Sequence, residues 1–507
     1  MSSSTGPDTD PPFLTGRAGR LLLILAVLGG VAAAVLLLRP EDTTCAEGVE
    51  EVGQGEARQC VGVTDGGHVF HERLSGVSGL IERENARVVR EAADGGTPYA
   101  TIVYLMSLSP GAGDSNTIET VKHEIEGAYT AQHRANHESV AGGSPHIRLL
   151  LGHVGDTEEQ RRHTLDHIVS RRDAERVVAV VGLGTSLTST EETVRTLTDA
   201  DIPSFGAVLT SDSLANEPGL VRVAPPNADQ AAAAVQFLSE GRYRDARVLI
   251  IQDVNEDDQY TRTLAREFAE RFPAARVVDG EPFEYDSSRT DIATYFSIQS
   301  ANLCLRDPDV IYYAGRSRDL PDLLAPLTNR QCNDEPLTVL SGDDSSQATQ
   351  QERFDEVRNA LRTGNIELVY TGLAHPGMWE AAPEFFDADA VAAFAPGGAH
   401  SERFPSSSLT DGQAIMGHDV VRTAVRAVRT AGGGGNVASS DVFQMLTSLN
   451  GANAVPGASG WISLRNDGSP EAKAIPVIRV DRDGHLTTLT VTSATGTPYT
   501  PELAARE

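Results

Sequence analysis

The chain has 507 residues, 71 acidic and 42 basic, for a formal net charge of −29. That length exceeds one compact core and suits two lobes of roughly 200 residues plus an extension, and 40% hydrophobic residues suffice to bury both. So negative a field argues against nucleic acid as a partner. Neither lysine, Lys122 or Lys473, follows a glycine-rich turn, which excludes a phosphate-cradling P-loop.

In chain order, residues 1–20 are polar and read as a disordered cytoplasmic tail. Residues 21–38, LLLILAVLGGVAAAVLLL, are apolar throughout and span roughly 27 Å as a helix, about one bilayer core. Arg17 and Arg20 precede them, while Arg39 is followed by Glu41 and Asp42. This predicts a single-pass anchor in the cell membrane, with the N-terminus cytoplasmic and residues 40–507 extracellular. A cleaved signal peptide is the competing reading, but the stretch is long and no small-x-small site follows promptly. Residues 40–96 form an extracellular extension: a loop carrying Cys45 and Cys60, then a helix over VFHERLSGVSGLIERENARVV. Four cysteines in an exported chain suggest two disulfides.

From residue 99 strands and helices alternate. YATIVYLMSL, HIRLLLGHVG, VVAVVGLG and IPSFGAVL read as strands, with helices over TIETVKHEIEGAYTAQHRANH, TEEQRRHTLDHIVSRR and from about Ser189. The strands are short, β-branched and apolar on both faces, as buried parallel strands require. A second series follows Pro225-Pro226: helix NADQAAAAVQFLSEG, strand ARVLIIQD, helix TRTLAREFAERF and strand ARVVDGEPF, then DVIYYAG, a helix over DLPDLLAPL, LTVLSGDD and IELVYTG. A helix over GQAIMGHDVVRTAVRAVRTAG stops at GGGGN. GWISLRNDGSPEAKAIPVIRVDRDG closes the chain as a hairpin turning at Asn466-Asp467-Gly468. Two successive series of this kind predict two doubly wound α/β lobes.

Five segments, in this order and spacing, resemble a known family over roughly residues 97–490. They are VVGLGTSLTST, IPSFGAVLTSDSL, GLVRVAPPNADQAAAAVQFL, ARVLIIQDVNEDDQYTRTLAREF and NGANAVPGASGWISLRNDGSP. The family is that of type 1 periplasmic-binding proteins, in the branched-chain amino-acid branch of ABC-transporter solute receptors. The resemblance implies an α/β chain of two Rossmann-like lobes joined by three crossings, near Pro225-Pro226, Tyr370–Gly372 and Asn450–Pro456. Lobe 1 would comprise residues 97–225 and 371–450, lobe 2 residues 226–370 and 451–495, with 496–507 as a tail. The first loop, SLSPGAGDSN, departs from the family's small Thr-Gly segment, and the anchor and extension are unusual for a transport receptor.

In such folds ligands sit beyond the carboxyl ends of parallel strands, near helix N-termini. Thr185, Ser186 and Thr188 therefore become candidates to hold a ligand carboxylate, with plain helix capping by Thr188 and Glu191 as the alternative. Leu209 and Thr210 follow the next strand. Tyr260 matches the family's tyrosine facing the cleft from lobe 2. Arg316 follows DVIYYAG and would suit an acidic ligand, whereas Asp343 would suit an ammonium group. The pairs His133/His137 and His163/His167 have i, i+4 spacing but no HExxH glutamate and adjoining arginines, so they read as solvated helix faces, and no metal is expected. GLG at 182–184 lacks the third glycine of a dinucleotide fingerprint, Leu187 standing there, and no cofactor is expected. No GxSxG, SxxK or ordered nucleophile–base set points to an enzyme.

The resulting expectation is an extracytoplasmic solute-binding protein closing on a small amino-acid-like ligand for an ABC-type importer. The alternative is an anchored ligand sensor signalling through a partner. Cys304 and Cys332 each lie five residues before a predicted strand, DVIYYAG and LTVLSG. If those strands neighbour one another in one parallel sheet, both cysteines emerge at the same edge, within bonding reach.

Overall fold

Aliphatic and β-branched runs with no polar face can be satisfied only between two layers of helices, and the computed structural model arranges them so in two sheets. It describes Leu21, Ile24 and residues 43–505, apart from 112–113, 139–141 and 433–435. The predicted tail 1–20 lies outside the described residues, as does the 21–38 stretch except for Leu21 and Ile24. Among the described residues no helix is long and apolar enough to cross a membrane. The single-pass anchor, and with it the placement at a cell membrane with residues 40–507 extracellular, is therefore corrected: it has no support in the structure.

The first sheet takes β1 (Thr44–Ala46), β2 (Val49–Val52), β3 (Gln59–Thr64), β4 (Tyr99–Met106), β5 (His146–His153), β6 (Val177–Gly182), β7 (Ser204–Gly206) and β8 (Leu220–Arg222). The second takes β9 (Val248–Asp253), β10 (Phe283–Tyr285), β11 (Val310–Ala314), β12 (Leu337–Ser341), β13 (Ile366–Thr371), β14 (Ile475–Val480) and β15 (Leu486–Thr492). Within the first, β5-β4-β6-β7-β8 are parallel, and within the second β10-β9-β11-β12-β13 are parallel. Both thus have the order 2-1-3-4-5 of a doubly wound sheet.

The edges differ from expectation. Residues 40–96 do not stand apart, because β3 pairs antiparallel with β5 and β2 with β3, extending the first sheet. Helix Ser75–Ala93 packs on the same lobe through Leu74, Val77 and Ile81. In the second sheet the expected strand ARVVDGEPF is two 3-10 turns and only the short β10, since Pro273 and the left-handed Asp279 and Gly280 interrupt the ladder. The final hairpin is β14–β15, turning over Asp481–His485. The turn predicted at 466–468 forms, with Gly468 N donating to Arg465 O at 3.1 Å and Leu464 bridged antiparallel to Pro470, but it joins no two strands of the sheet.

The chain passes between lobes at three places. Val223 and Ala224 lie in the first core and Ala231 in the second, so the first passage is Pro225-Pro226. After Thr371 ends β13, Leu373 and Ala374 enter the first core. The third passage lies at Ala474–Ile475, not near Asn450–Pro456, because Val455, Ala458, Ile462, Leu464 and Ala474 all pack into the first core. A buried charge explains this. Asp419, on helix Gln413–Gly432, accepts from the amides of Ala458 (3.0 Å) and Ser459 (2.7 Å) and from Ser459 Oγ (2.6 Å). Lys473 Nζ donates to Ser459 Oγ at 2.9 Å and to Gly460 O at 2.7 Å, and burial pushes its pKa down to about 8. A carboxylate out of water needs such donors, and they hold residues 455–473 to the first lobe.

The same helix packs against Ile118–His137 at very close range, the two running in the same direction, with Asp411 beside His123 at one end and Arg429 beside Ala135 at the other. A Cβ at Gly127 would sit 1.9 Å from Ala414 O, and one at Gly417 would sit 2.1 Å from Glu124 O. The structure joins Cys304 to Cys332, with Cα atoms 5.6 Å apart, and Cys45 to Cys60, 6.2 Å apart. β11 and β12 are parallel neighbours, as the argument for the first bond requires.

Candidate functional site

In an order 2-1-3-4-5 the chain winds in opposite directions from the first strand, and a crevice opens at the carboxyl ends of strands 1 and 3. In the first sheet these are β4 and β6. A cavity of about 200 Å³ lies there, walled by Leu105–Ser107 at the end of β4, Val154–Thr157 after β5, Leu183–Thr185 after β6, and the start of helix Thr188–Asp199. Pro110, Asp114, Ser115 and Asn116 close it from the first loop. Ser107 Oγ is buried and has no hydrogen-bond partner among the described residues. Burial raises the pKa of Asp114, the Gly111 amide opposing and the nearby Asp156 adding to the rise.

Beside the cavity the two lobes meet directly. Thr188 N donates to Asp257 O at 3.2 Å, and Leu187 bridges Asp258 as an antiparallel pair. Gln259 Nε2 donates to Glu191 Oε2 at 2.6 Å. Gln347 of the second lobe accepts from Thr120 Oγ1 at 3.3 Å and donates to Asn116 Oδ1 at 2.9 Å, and Gln351 Nε2 donates to Ser115 O at 3.1 Å.

On the second-lobe side of the seam lies a buried ion cluster. Arg316 grips Asp258 with two bonds, Nε to Oδ2 at 2.6 Å and Nη2 to Oδ1 at 2.8 Å, and gives Nη1 to Asp344 Oδ1 at 2.9 Å. Its guanidinium lies 4.4 Å from the centre of the Tyr260 ring. Burial works against the charge, but Asp258 and Asp344 outweigh it and hold Arg316 protonated. Asp258 also caps helix Gln259–Arg271, accepting from the amides of Tyr260 and Thr261.

Of the residues singled out in the sequence, Thr185 lines the cavity. Ser186 Oγ instead accepts from the amides of Thr210 and Ser211 at 3.1 and 3.3 Å, joining two strand-end loops. Thr188 is exposed at the first helical position, the N-cap is Leu187, and no capping box forms. That box is found at Thr157 and Gln160. Leu209 is a core side chain, and Thr210 O accepts from Asn227 N at 2.7 Å across the first passage. Tyr260 is buried under Arg316, its hydroxyl accepting from Asp344 N at 3.3 Å. Asp343 accepts from Gln230 Nε2 at 2.7 Å, and burial pushes its pKa up to about 7.

Sequence reasoning missed Gln347 and Gln351, which lie between the expected strands LTVLSGDD and IELVYTG, where no element was read. It also missed Asp258, although an aspartate just before a helical run is a capping signal. In the histidine pairs, His133 Nε2 meets Arg403 at 2.7 Å, His137 meets Glu84 at 3.1 Å and His163 meets Glu50 at 3.7 Å. Among the described residues the one triple of metal-type ligands is Asp481, Asp483 and His485, on the β14–β15 turn away from the cavity.

No family model matches the chain, and no curated protein does. Solved structures do. A leucine-binding protein from Thermotoga maritima aligns at 18% identity and TM-score 0.57, covering 77% of this chain and 98% of its own. A branched-chain amino-acid transporter substrate-binding protein from Streptococcus pneumoniae, in complex with isoleucine, aligns at 16% and 0.59, covering 78% and 99%. An ABC-transporter solute-binding protein from Rhodopseudomonas palustris, in complex with p-hydroxybenzoic acid, aligns at 14% and 0.57, covering 78% and 97%. With two 2-1-3-4-5 sheets, three passages between them and alignment over nearly the whole of these proteins, the chain has the type 1 periplasmic-binding fold.

Proposed function

We propose that the chain is a solute-binding protein, not an enzyme, that closes two lobes on a small molecule and presents it to an ABC-type permease. The observation that carries this reading is the polar cavity at the first sheet's switch point, directly beside the seam where the second lobe docks. Its volume of about 200 Å³ suits a ligand of amino-acid size. The seam is held by neutral amides, hydroxyls and one glutamate, contacts that can break and re-form as the lobes hinge. The solved structures of like fold, with leucine, isoleucine or aromatic acids named as their ligands, support transport over signalling.

The test is a thermal-shift screen of amino acids, amides and small acids, followed by small-angle scattering on each hit. A ligand at about 100 times its dissociation constant stabilises by roughly 2.7 kcal/mol, and a true ligand also changes the scattering radius. A tight binder that leaves the radius unchanged refutes closure, and a screen without a single stabilising compound refutes solute binding.

A further inference from the structure

We propose that Arg316 is a positioning residue for lobe closure, holding the two second-lobe segments that grip the first lobe as one rigid jaw. This rests on the reading that the lobes hinge and close, and adds the residue that sets the docking face. The bonds across the seam beside the cavity come from two second-lobe segments far apart in sequence. Asp257, Asp258 and Gln259 meet Thr188, Leu187 and Glu191, whereas Gln347 and Gln351 meet Thr120, Asn116 and Ser115. The first segment is the loop leading into helix Gln259–Arg271, and the second is the 3-10 helix Asp343–Gln350 with the residue after it. Two such segments keep a common register only if something ties them together.

Arg316, two residues past β11, does so. Its Nε and Nη2 take both oxygens of Asp258, in the first segment, while Nη1 takes Asp344, near the start of the 3-10 helix that carries Gln347. Ser317 extends the link: its amide donates to Asp344 Oδ2 at 2.6 Å, and its hydroxyl accepts from Gln351 Nε2 at 3.2 Å. Tyr260 closes it, with its ring against the guanidinium and its hydroxyl accepting from Asp344 N. Arg316, Asp258 and Asp344 are each at most 4% exposed. A planar guanidinium fixes two carboxylates at set angles, and its charge-assisted bonds are stronger than the largely neutral ones that cross the seam. Among the described residues Arg316 bonds to nothing in the first lobe, so it acts through Asp258 and Asp344. A docking face ordered in advance spares closure the cost of ordering it.

Hydrogen exchange on the full chain tests this, because the Thr188 amide belongs to the first lobe but donates to Asp257 O of the second. Its exchange rate reports opening of the seam. In Arg316→Met that rate is expected to rise about tenfold or more, since a hydrogen bond to a charged group is worth roughly tenfold to a hundredfold. Asp344→Asn, a milder variant that weakens only the tie to the second segment, is expected to raise it severalfold, and it alone decides if Arg316→Met does not fold. The amides of β11 are expected to exchange far more slowly than Thr188 throughout; equal rates would mean that the second lobe unfolds, and would overturn the proposal. An arginine that only stabilises its own lobe lowers the urea midpoint and leaves Thr188 exchange unchanged in both variants, which also overturns it. A Thr188 amide unprotected in the parent protein instead overturns the docked seam, the reading on which the proposal rests.

Discussion

Replacing Gly417 by alanine tests whether the first lobe depends on backbone contact between two helices. Alanine raises intrinsic helix propensity by about 1 kcal/mol, so on an isolated helix the change would stabilise. Here the new Cβ would lie 2.1 Å from Glu124 O, a backbone atom in the middle of helix Ile118–His137 that no side-chain rotation can move. The helices must separate, opening a core that includes Ile125, Ala128, Val420 and Val421. Overpacking of this kind costs about 1–3 kcal/mol, and the rigid obstacle puts it at the upper end. The net loss is then about 2 kcal/mol, or roughly 4–8 °C in melting temperature for a lobe of this size. Gly79→Ala is the control: it lies inside helix Ser75–Ala93, and its Cβ would meet only the end of Arg83 at 3.4 Å. That variant should gain stability by up to about 1 kcal/mol. Thermal and urea denaturation of both variants decide the matter, and a Gly417→Ala protein as stable as the parent would refute the packing argument.

Further outcomes follow from the second lobe. Cys304→Ser should lower its stability by roughly 3–4 kcal/mol, the loop-closure value for 28 residues, and an unreduced digest should yield the Cys304–Cys332 cross-link. Arg316→Met leaves Asp258 and Asp344 buried without their cation and should cost about 3–5 kcal/mol in urea denaturation; a loss below about 1 kcal/mol would contradict the cluster's role. Asp343, with its pKa raised to about 7, binds its proton more strongly folded than unfolded, so its contribution is complete at low pH and lost as pH rises through 7. That loss begins near the ordinary aspartate value, so Asp343→Asn should raise the melting temperature at pH 8 and hardly change it below about pH 4, and an equal shift at both would refute the assignment.

The sheets were legible because their strands are written in uninterrupted runs such as VVAVVG, every residue of which is buried. The helices Ile118–His137 and Glu158–Glu175, capped by Thr117 and Thr157, were equally legible, their starts being set by local hydrogen bonds. The third passage was not, because residues 455–473 are held by Asp419, some 40 positions away, and no local pattern records that bond. The site was the least legible part. Ser186, Tyr260, Arg316 and Asp343 have the residue types of a binding site, but burial and neighbours decide whether such a group faces a ligand or a partner in its own chain. All four are tied to distant residues: Ser186 to Thr210, Tyr260 to Asp344, Arg316 to Asp258 and Asp343 to Gln230.

The chain carries only two lysines, and they report on different things. Lys122 is a quarter exposed on its helix, whereas Lys473 is fully buried one residue before the third passage ends its stay in the first lobe. An amine-reactive reagent therefore modifies Lys122 at once and reaches Lys473 only when the 455–473 loop lifts from Asp419. The labelling rate at that one position becomes a clock for local opening of the hinge. Its internal reference is built into the same polypeptide.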